Sequence, residues 1–183
     1  QAAMSGAQAL ARMANDLLDV SRMEEGKLPL QVAEHDLSAM AVQVQHSLRG
    51  YERGRRIELE PSAPLLVTCD DSLIRRVLEN LVSNAIKHAP SKSVIRLAVR
   101  AAGAYARFEI CDQGPGVPLE ARQRIFEKFG AIAARKTNGY HSAGLGLAFC
   151  KLAIEAHQGR LGVEACEPQG SCFWFELPLA AAG

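Results

Sequence analysis

The stretch Leu73–Pro90, LIRRVLENLVSNAIKHAP, decides how the rest of the chain is read. Its apolar residues fall in adjacent pairs four apart: Leu73/Ile74, Val77/Leu78, Leu81/Val82 and Ala85/Ile86. That spacing predicts one long helix with a broad buried stripe. Asn80, Asn84 and Lys87 follow at i, i+4 and i+7 on a neighbouring stripe, and His88 flanks it. Two amides and an ammonium along the border of a core face suit a polyanion or a metal–phosphate. A helix with merely solvated polar residues would show the same spacing, so the decision rests on what surrounds it.

The 183 residues suffice for one ordinary domain with a helical appendage. A hydrophobic content of 48% and a charged content of 22% are those of a soluble globular protein. A formal net charge of +1 gives no reason to expect nucleic acid or an anionic membrane as partner. No apolar run approaches the roughly 20 residues needed to span a bilayer, and the opening QAAMSGAQALARM lacks the pattern of a signal peptide. The five cysteines, Cys69, Cys111, Cys150, Cys166 and Cys172, are odd in number, scattered and without a CxxC pair. They read as buried thiols in a reducing compartment, which points to the cytoplasm.

Outward from the opening helix, Leu10, Met13, Leu17 and Val20 recur with 3-4-3 spacing, the seam of a helical bundle, and Gly26 ends that segment. A strand is expected over Lys27–Glu34, with Pro29 favouring an edge, and then a helix over Leu37–Tyr51 capped by Asp36 or Ser38. Ile57–Glu60 and Leu65–Thr68 suit strands, and Asp70 or Asp71 caps the helix that follows. A hairpin at Ala102-Gly103 joins Val94–Arg100 to Tyr105–Cys111. Beyond the turn CDQGPGVP come a short helix, Leu119–Glu127, and a loop over 130–143 with little periodicity. A helix over Leu145–His157 and strands over Arg160–Ala165 and Cys172–Leu177 close the chain. The order predicts an α/β fold with a mixed sheet and helices on one face.

Several elements could build one site. The helix opened by Gly144-Leu145-Gly146-Leu147 offers backbone N–H groups and a positive dipole end to phosphate. Asp112, at a strand end before Gly114 and Gly116, could accept a hydrogen bond from an exocyclic amine while the glycines admit a base to the backbone, or it could form a plain Asx turn. Asn84 offers a neutral oxygen to Mg²⁺, and Lys87 a point charge to phosphates.

NAIKHAP, DQGPGVP, IFEKFG and GLGLAFCKLAIEAHQG, in that order, resemble the N, first-glycine, F and second-glycine boxes of sensor histidine kinases. GSCFWFELP resembles the last strand of their ATP-binding domain, and ANDLLDVSRMEEGKLPL the second helix of their dimerisation domain with its exit. The resemblance covers essentially the whole chain. It implies a two-layer Bergerat α/β sandwich over 27–183, preceded over 1–26 by one long dimerisation-type helix. It also implies ATP and Mg²⁺ as cofactors. Asn84 would be the metal ligand, with Asn80 supporting it, Lys87 a phosphate contact and His88 a neighbour of the nucleotide. Asp112 would take the adenine amine, with Gly114 and Gly116 in the pocket wall. Phe126 and Phe129 would anchor a lid over 130–143, in which Arg135 or Lys136 meets the triphosphate. Gly144, Leu145, Gly146 and Leu147 would close over the phosphates. Cys172 would stand where relatives carry an adenine-binding Thr, a weaker hydrogen-bond partner.

Related ATP hydrolases carry a water-activating Glu four residues before the metal Asn. Here that position is Asn80, which cannot take a proton, and Glu79 lies about 100° away around the helix. The resemblance therefore implies phosphoryl transfer to a histidine, for relay to a response-regulator aspartate. None of His35, His46, His88, His141 or His157 has the family's phosphoacceptor context, and His157 sits at a helix C-terminus whose dipole would favour its charge. The acceptor is thus expected on a dimerisation helix outside this sequence, in the same protein or a homodimer partner, and the chain is not expected to autophosphorylate alone. Cys172 and the missing acceptor leave a nucleotide-binding scaffold without turnover as an alternative, and an ATPase as a further one.

Overall fold

Helix α3 (Asp71–His88) forms where the apolar pairs predict it, and Ile74, Val77, Leu78, Leu81, Val82, Ala85 and Ile86 along its inner face are all buried. Its start is fixed by Asp70, whose backbone is extended (φ −81°, ψ 109°). The Asp70 carboxylate accepts the N–H groups of Ser72 at 3.1 Å and Leu73 at 3.3 Å, the Ser72 hydroxyl at 2.7 Å and the Gln31 N–H at 2.9 Å. At the other end, Lys87 and His88 fall in the last turn, where the helix dipole favours cations. The computed structural model describes residues 17–26, 28–52, 54–130 and 144–180. The expected lid residues Arg135 and Lys136, and Leu10, Met13 and His141, lie outside them.

The floor under α3 is a five-stranded mixed sheet. Its spatial order is β2 (Arg56–Leu59), β4 (Val94–Ala102), β5 (Tyr105–Asp112), β7 (Ser171–Pro178) and β6 (Arg160–Ala165). The β2–β4 pair is parallel and the others are antiparallel. Period-2 alternation turns Ile95, Leu97 and Val99, then Ala106, Phe108 and Ile110, then Phe173, Phe175 and Leu177 toward the helices. Phe108 and Phe175 stack with ring centroids 5.3 Å apart at the middle of this layer. Helices α2 (Leu37–Ser47) and α4 (Gly146–Ala156) flank α3 and bury Leu37, Met40, Ala41 and Val44, and Phe149, Cys150, Ala153 and Ile154. The opposite face of the sheet carries charge instead. Arg107 lies over the Trp174 ring and is bonded to Glu109 at 2.8 Å and Glu176 at 3.1 Å.

Several expectations need correction. The first strand, β1, is Ala33–Asp36 rather than 27–34, paired antiparallel with β3 (Leu66–Cys69) in a separate two-stranded ribbon. Pro29 has no donor and the Gln31 N–H is taken by Asp70, so the ladder starts only at Ala33. The stretch 119–127 is two 3₁₀ turns, Leu119–Ala121 and Arg124–Phe126, because Ile125 and Phe126 are buried side by side while Leu119 is exposed, which is no helical stripe. Helix α1, over 17–24, divides its expected seam: Leu17 is 47% exposed, whereas Val20 is fully buried in this domain's own core. Ion pairs Asp19–Arg76 and Glu24–Lys128 hold that helix against the domain.

Two chemical expectations change as well. Cys69 and Cys150 are buried thiols as expected, but Cys111 and Cys172 are disulfide-bonded, because the β5–β7 register sets them opposite each other. The His157 ring is buried and accepts the Asp70 N–H on Nε2 at 2.9 Å, with Nδ1 2.6 Å from the Ala153 carbonyl. An accepting Nε2 requires the neutral Nδ1–H tautomer, so His157 ties α4 to the start of α3 instead of serving as a charged partner of the dipole.

Burial pushes the Asp70 carboxyl up, but the bonds from Ser72, Gln31 and Leu73 outweigh it and hold its pKa below the ordinary value. A depressed acid contributes stability above its unfolded pKa and loses it as pH falls through the folded value. Asp70→Ala should therefore cost about 1–2 kcal/mol at neutral pH, and urea unfolding should show the variant and the parent converging as the solution is acidified.

Candidate functional site

Strand β5 ends at Asp112, on the inward face of the sheet, and the chain turns there because two segments approach it too closely for a side chain. A Cβ on Gly114 would stand 2.7 Å from the Asp112 carboxylate and 2.9 Å from the His88 carbonyl. A Cβ on Gly170, at φ +133°, would stand 1.8 Å from the Asp112 carbonyl. The end of α3, the end of β5 and the start of β7 therefore meet at one point. Gln169 adds a bond from its side-chain amide to the Gly114 carbonyl at 3.2 Å.

The Asp112 carboxylate is 3% exposed and accepts the Gly114 N–H at 2.7 Å. Burial pushes its pKa above the ordinary carboxylate value, and the Gly114 and Ser171 N–H groups offset this in part. The carboxylate already accepts the Gly114 and Ser171 N–H groups and keeps further lone pairs, for which an exocyclic amine is a donor of the right kind. Ser171, directly across from Asp112 in the β5–β7 ladder, is also 3% exposed and faces the same side.

About 12 Å back along α3, eight residues at 1.5 Å each, lies the second half of the site. The Asn80 side-chain nitrogen is buried and has no hydrogen-bond partner among the described residues. Its amide oxygen would lie 3.5 Å from a Cβ on Gly146, the first residue of α4. Gly144 takes φ +67° just before that helix, and Leu145, at the N-cap position, supplies no side-chain cap. The first N–H groups of α4 therefore open beside an amide that itself lacks an acceptor, an arrangement with a deficit of negative charge. Asn84 and Lys87 are half-buried on the same stripe of α3, between Asn80 and the Asp112 junction.

The structure thus brings Asn80, Asn84, Lys87, His88, Asp112, Gly114, Gly116, Gly144, Leu145 and Gly146 to one side of α3, with Leu147 half-buried in the first turn of α4. Phe126 is buried edge-on against Phe173, with ring centroids 6.3 Å apart. Phe129 is 51% exposed at φ +59°, so it anchors nothing by burial among the described residues. Cys172 does not reach the Asp112 side where the resemblance places it. With Phe173, Phe175 and Leu177 turned inward, Cys172 faces the outer side of the sheet, bonded to Cys111, and Ser171 is the group beside Asp112. The alternation in SCFWFELP carries that information. Two shallow recesses beside Glu60 and Pro61 lie toward the β2 edge, away from this cluster.

Among the described residues there is no group of three His, Cys, Asp or Glu that could hold a metal ion. A cation here would take one amide oxygen from the protein and the remainder from phosphate and water, a donor set that suits Mg²⁺.

Comparison with known proteins agrees with this fold. Residues 69–181 match the family model "Histidine kinase-, DNA gyrase B-, and HSP90-like ATPase". The sensory/regulatory protein RpfC of Xanthomonas campestris pv. campestris is 34% identical over 185 residues, covering 96% of this chain and 26% of RpfC. The adaptive-response sensory kinase SasA of Gloeothece citriformis is 33% identical over 172 residues, covering 92% of this chain and 43% of SasA. The structure of full-length ShkA in complex with AMPPNP superposes with a TM-score of 0.81 at 32% identity, covering 95% of this chain and 36% of ShkA. The chain spans less than half the length of each of these proteins. Its match to the family model, over more than half its own length, shows that it belongs to the histidine kinase-, DNA gyrase B- and HSP90-like ATPases.

Proposed function

We propose that this chain is the ATP-binding catalytic region of a sensor histidine kinase. In this reading the adenine amine donates to Asp112, with the Ser171 hydroxyl beside it, and the triphosphate runs along α3 toward Asn80 and the first turn of α4. Asn84 would hold Mg²⁺, which neutralises charge on the phosphates. Lys87 lies on the same stripe and meets the phosphates as a point charge, and the uncapped N–H groups of α4 receive their oxygens.

The single observation that carries transfer over hydrolysis is Asn80. It occupies the position where hydrolysing relatives keep a glutamate, its amide lies against Gly146, and neighbouring Glu79 is exposed on another face of α3. An amide can orient a ligand but cannot take a proton from water. Attack then falls to an imidazole nitrogen supplied by another helix. A P–N bond forms as the bond from the γ-phosphorus to the β–γ bridging oxygen breaks, and ADP departs. The domain contributes positioning and charge neutralisation rather than a nucleophile of its own. Helix α1, with Leu17 and Leu18 exposed, would be the end of a dimerisation helix that packs against the acceptor helix. Relay from the phosphohistidine to a response-regulator aspartate belongs to the same proposal. The scaffold alternative rested partly on Cys172, and the buried Ser171 hydroxyl beside Asp112 removes that ground.

Two experiments test the reading. Incubated with ATP labelled on the γ-phosphate and a separately supplied acceptor-helix domain, the chain should place label on histidine with little free phosphate. Rapid phosphate release without transfer, surviving Asn80→Ala and lost in Glu79→Ala, would establish an ATPase instead. Asn84→Ala should remove Mg²⁺-dependent ATP binding in calorimetry, and undiminished affinity would refute the metal assignment.

A further inference from the structure

The Cys111–Cys172 pair has no part in the site just described, yet it adjoins it on both strands. Cys111 precedes Asp112 on β5 and Cys172 follows Ser171 on β7, so the bridge spans one ladder position away from the two residues assigned to the base. The two Cα atoms are 4.0 Å apart. Both cysteines are half-buried on the outer face of the sheet, toward Glu109, Trp174 and the Arg107 cluster, whereas Asp112 and Ser171 are buried on the inner face. The other thiols differ. Cys69 and Cys150 are buried in the core, and burial with the nearby Asp71 and Asp70 charges pushes the Cys69 thiol up to about 12, which makes it unreactive. Cys166 is half-buried near the end of β6.

We propose that Cys111 and Cys172 form a reversible dithiol–disulfide couple that tunes nucleotide affinity, with the disulfide form the tighter binder. The inference rests on the nucleotide reading of the Asp112 site. The pair joins two strands that are already hydrogen-bonded to one another along their length, so the fold does not need the bridge to bring them together. What the bridge adds is a fixed separation of β5 and β7 at the point where they deliver Asp112 and Ser171. Half-burial on the sheet surface leaves the sulfurs open to exchange, as core thiols are not.

The exchange balances with a low-molecular-weight disulfide as oxidant. The thiolate of one cysteine attacks it, forming a mixed disulfide and releasing one small thiol. The second cysteine then attacks the protein sulfur of that mixed bond and releases the other. Two protein thiols and one small disulfide become one protein disulfide and two small thiols, and a dithiol reductant reverses the sequence.

The test uses the full chain carrying Cys166→Ser, poised fully oxidised with glutathione disulfide or fully reduced with dithiothreitol. Peptide mass mapping should find the Cys111–Cys172 bridge in the first sample and free thiols in the second. Calorimetry with Mg²⁺ and AMPPNP should give binding about threefold to tenfold weaker in the reduced sample, a difference recovered on reoxidation. A Cys111→Ser/Cys172→Ser chain should bind like the reduced sample under both conditions. Equal affinity in the two states, tighter binding on reduction, or failure of the bridge to form would overturn the proposal. Absence of nucleotide binding in both states, with the bridge forming normally, would instead refute the nucleotide reading beneath it. The comparison of redox states needs no substitution at the pair, so it stands even if the double variant does not fold.

Discussion

The approach of two glycine backbones to Asp112 is the constraint on which the rest of this structure depends. Gly170 packs on the Asp112 carbonyl and Gly114 sits between its carboxylate and the His88 carbonyl, so three elements distant in sequence are fixed at one junction. The cost is a buried carboxylate, whose pKa burial pushes up and the Gly114 and Ser171 N–H groups only partly restore. In the proposed reading, a ligand that brings a further donor relieves that cost, so the burial that disfavours the charged carboxylate is also what would favour recognition there.

Helix α3 transmits this geometry to the phosphate end. It is anchored at its start by the Asp70 cap and by His157, which couples α4 to the same point through the Asp70 N–H. Its C-terminal turn packs closely on the end of β5, with the His88 carbonyl against Gly114. With both ends held and one face wholly buried, the polar stripe of Asn80, Asn84 and Lys87 has little freedom to rotate. The Asn80 amide, whose nitrogen has no partner among the described residues, faces the first turn of α4 because that helix is tied to α3. Such preorganisation is what phosphoryl transfer by positioning requires.

Much of this was legible in the sequence, and the failures have physical causes. The apolar pairs of Leu73–Pro90 placed the helix within two residues at each end, since a stripe of that length has no competing interpretation. The glycine-rich turns pointed to Asp112 and Gly146 through their resemblance to the family's glycine boxes, and the close backbone approach at Gly114 and Gly170 appears only in the assembled fold. The errors arose where tertiary bonds overrode local pattern. The Gln31 N–H went to Asp70 and shortened β1, and the imidazole of His157 became a buried acceptor instead of a charged partner of the helix dipole. The outward facing of Cys172 was legible in the alternation, since the inward Phe173, Phe175 and Leu177 fix the facing of both Ser171 and Cys172. The disulfide was not legible, because pairing of Cys111 with Cys172 follows from a register that only the assembled sheet defines.

The central claim is that the Asp112 carboxylate recognises an amine on a nucleotide base. The most direct measurement compares the affinity of ATP with that of inosine triphosphate, which presents a carbonyl oxygen where ATP has its amino group. Two acceptors then face each other in a buried site, at a cost of about 1–3 kcal/mol. Calorimetry with Mg²⁺ should show inosine triphosphate binding roughly tenfold to a hundredfold more weakly than ATP. Equal affinities for the two nucleotides would contradict the assignment of Asp112 and, with it, the placement of the nucleotide along α3.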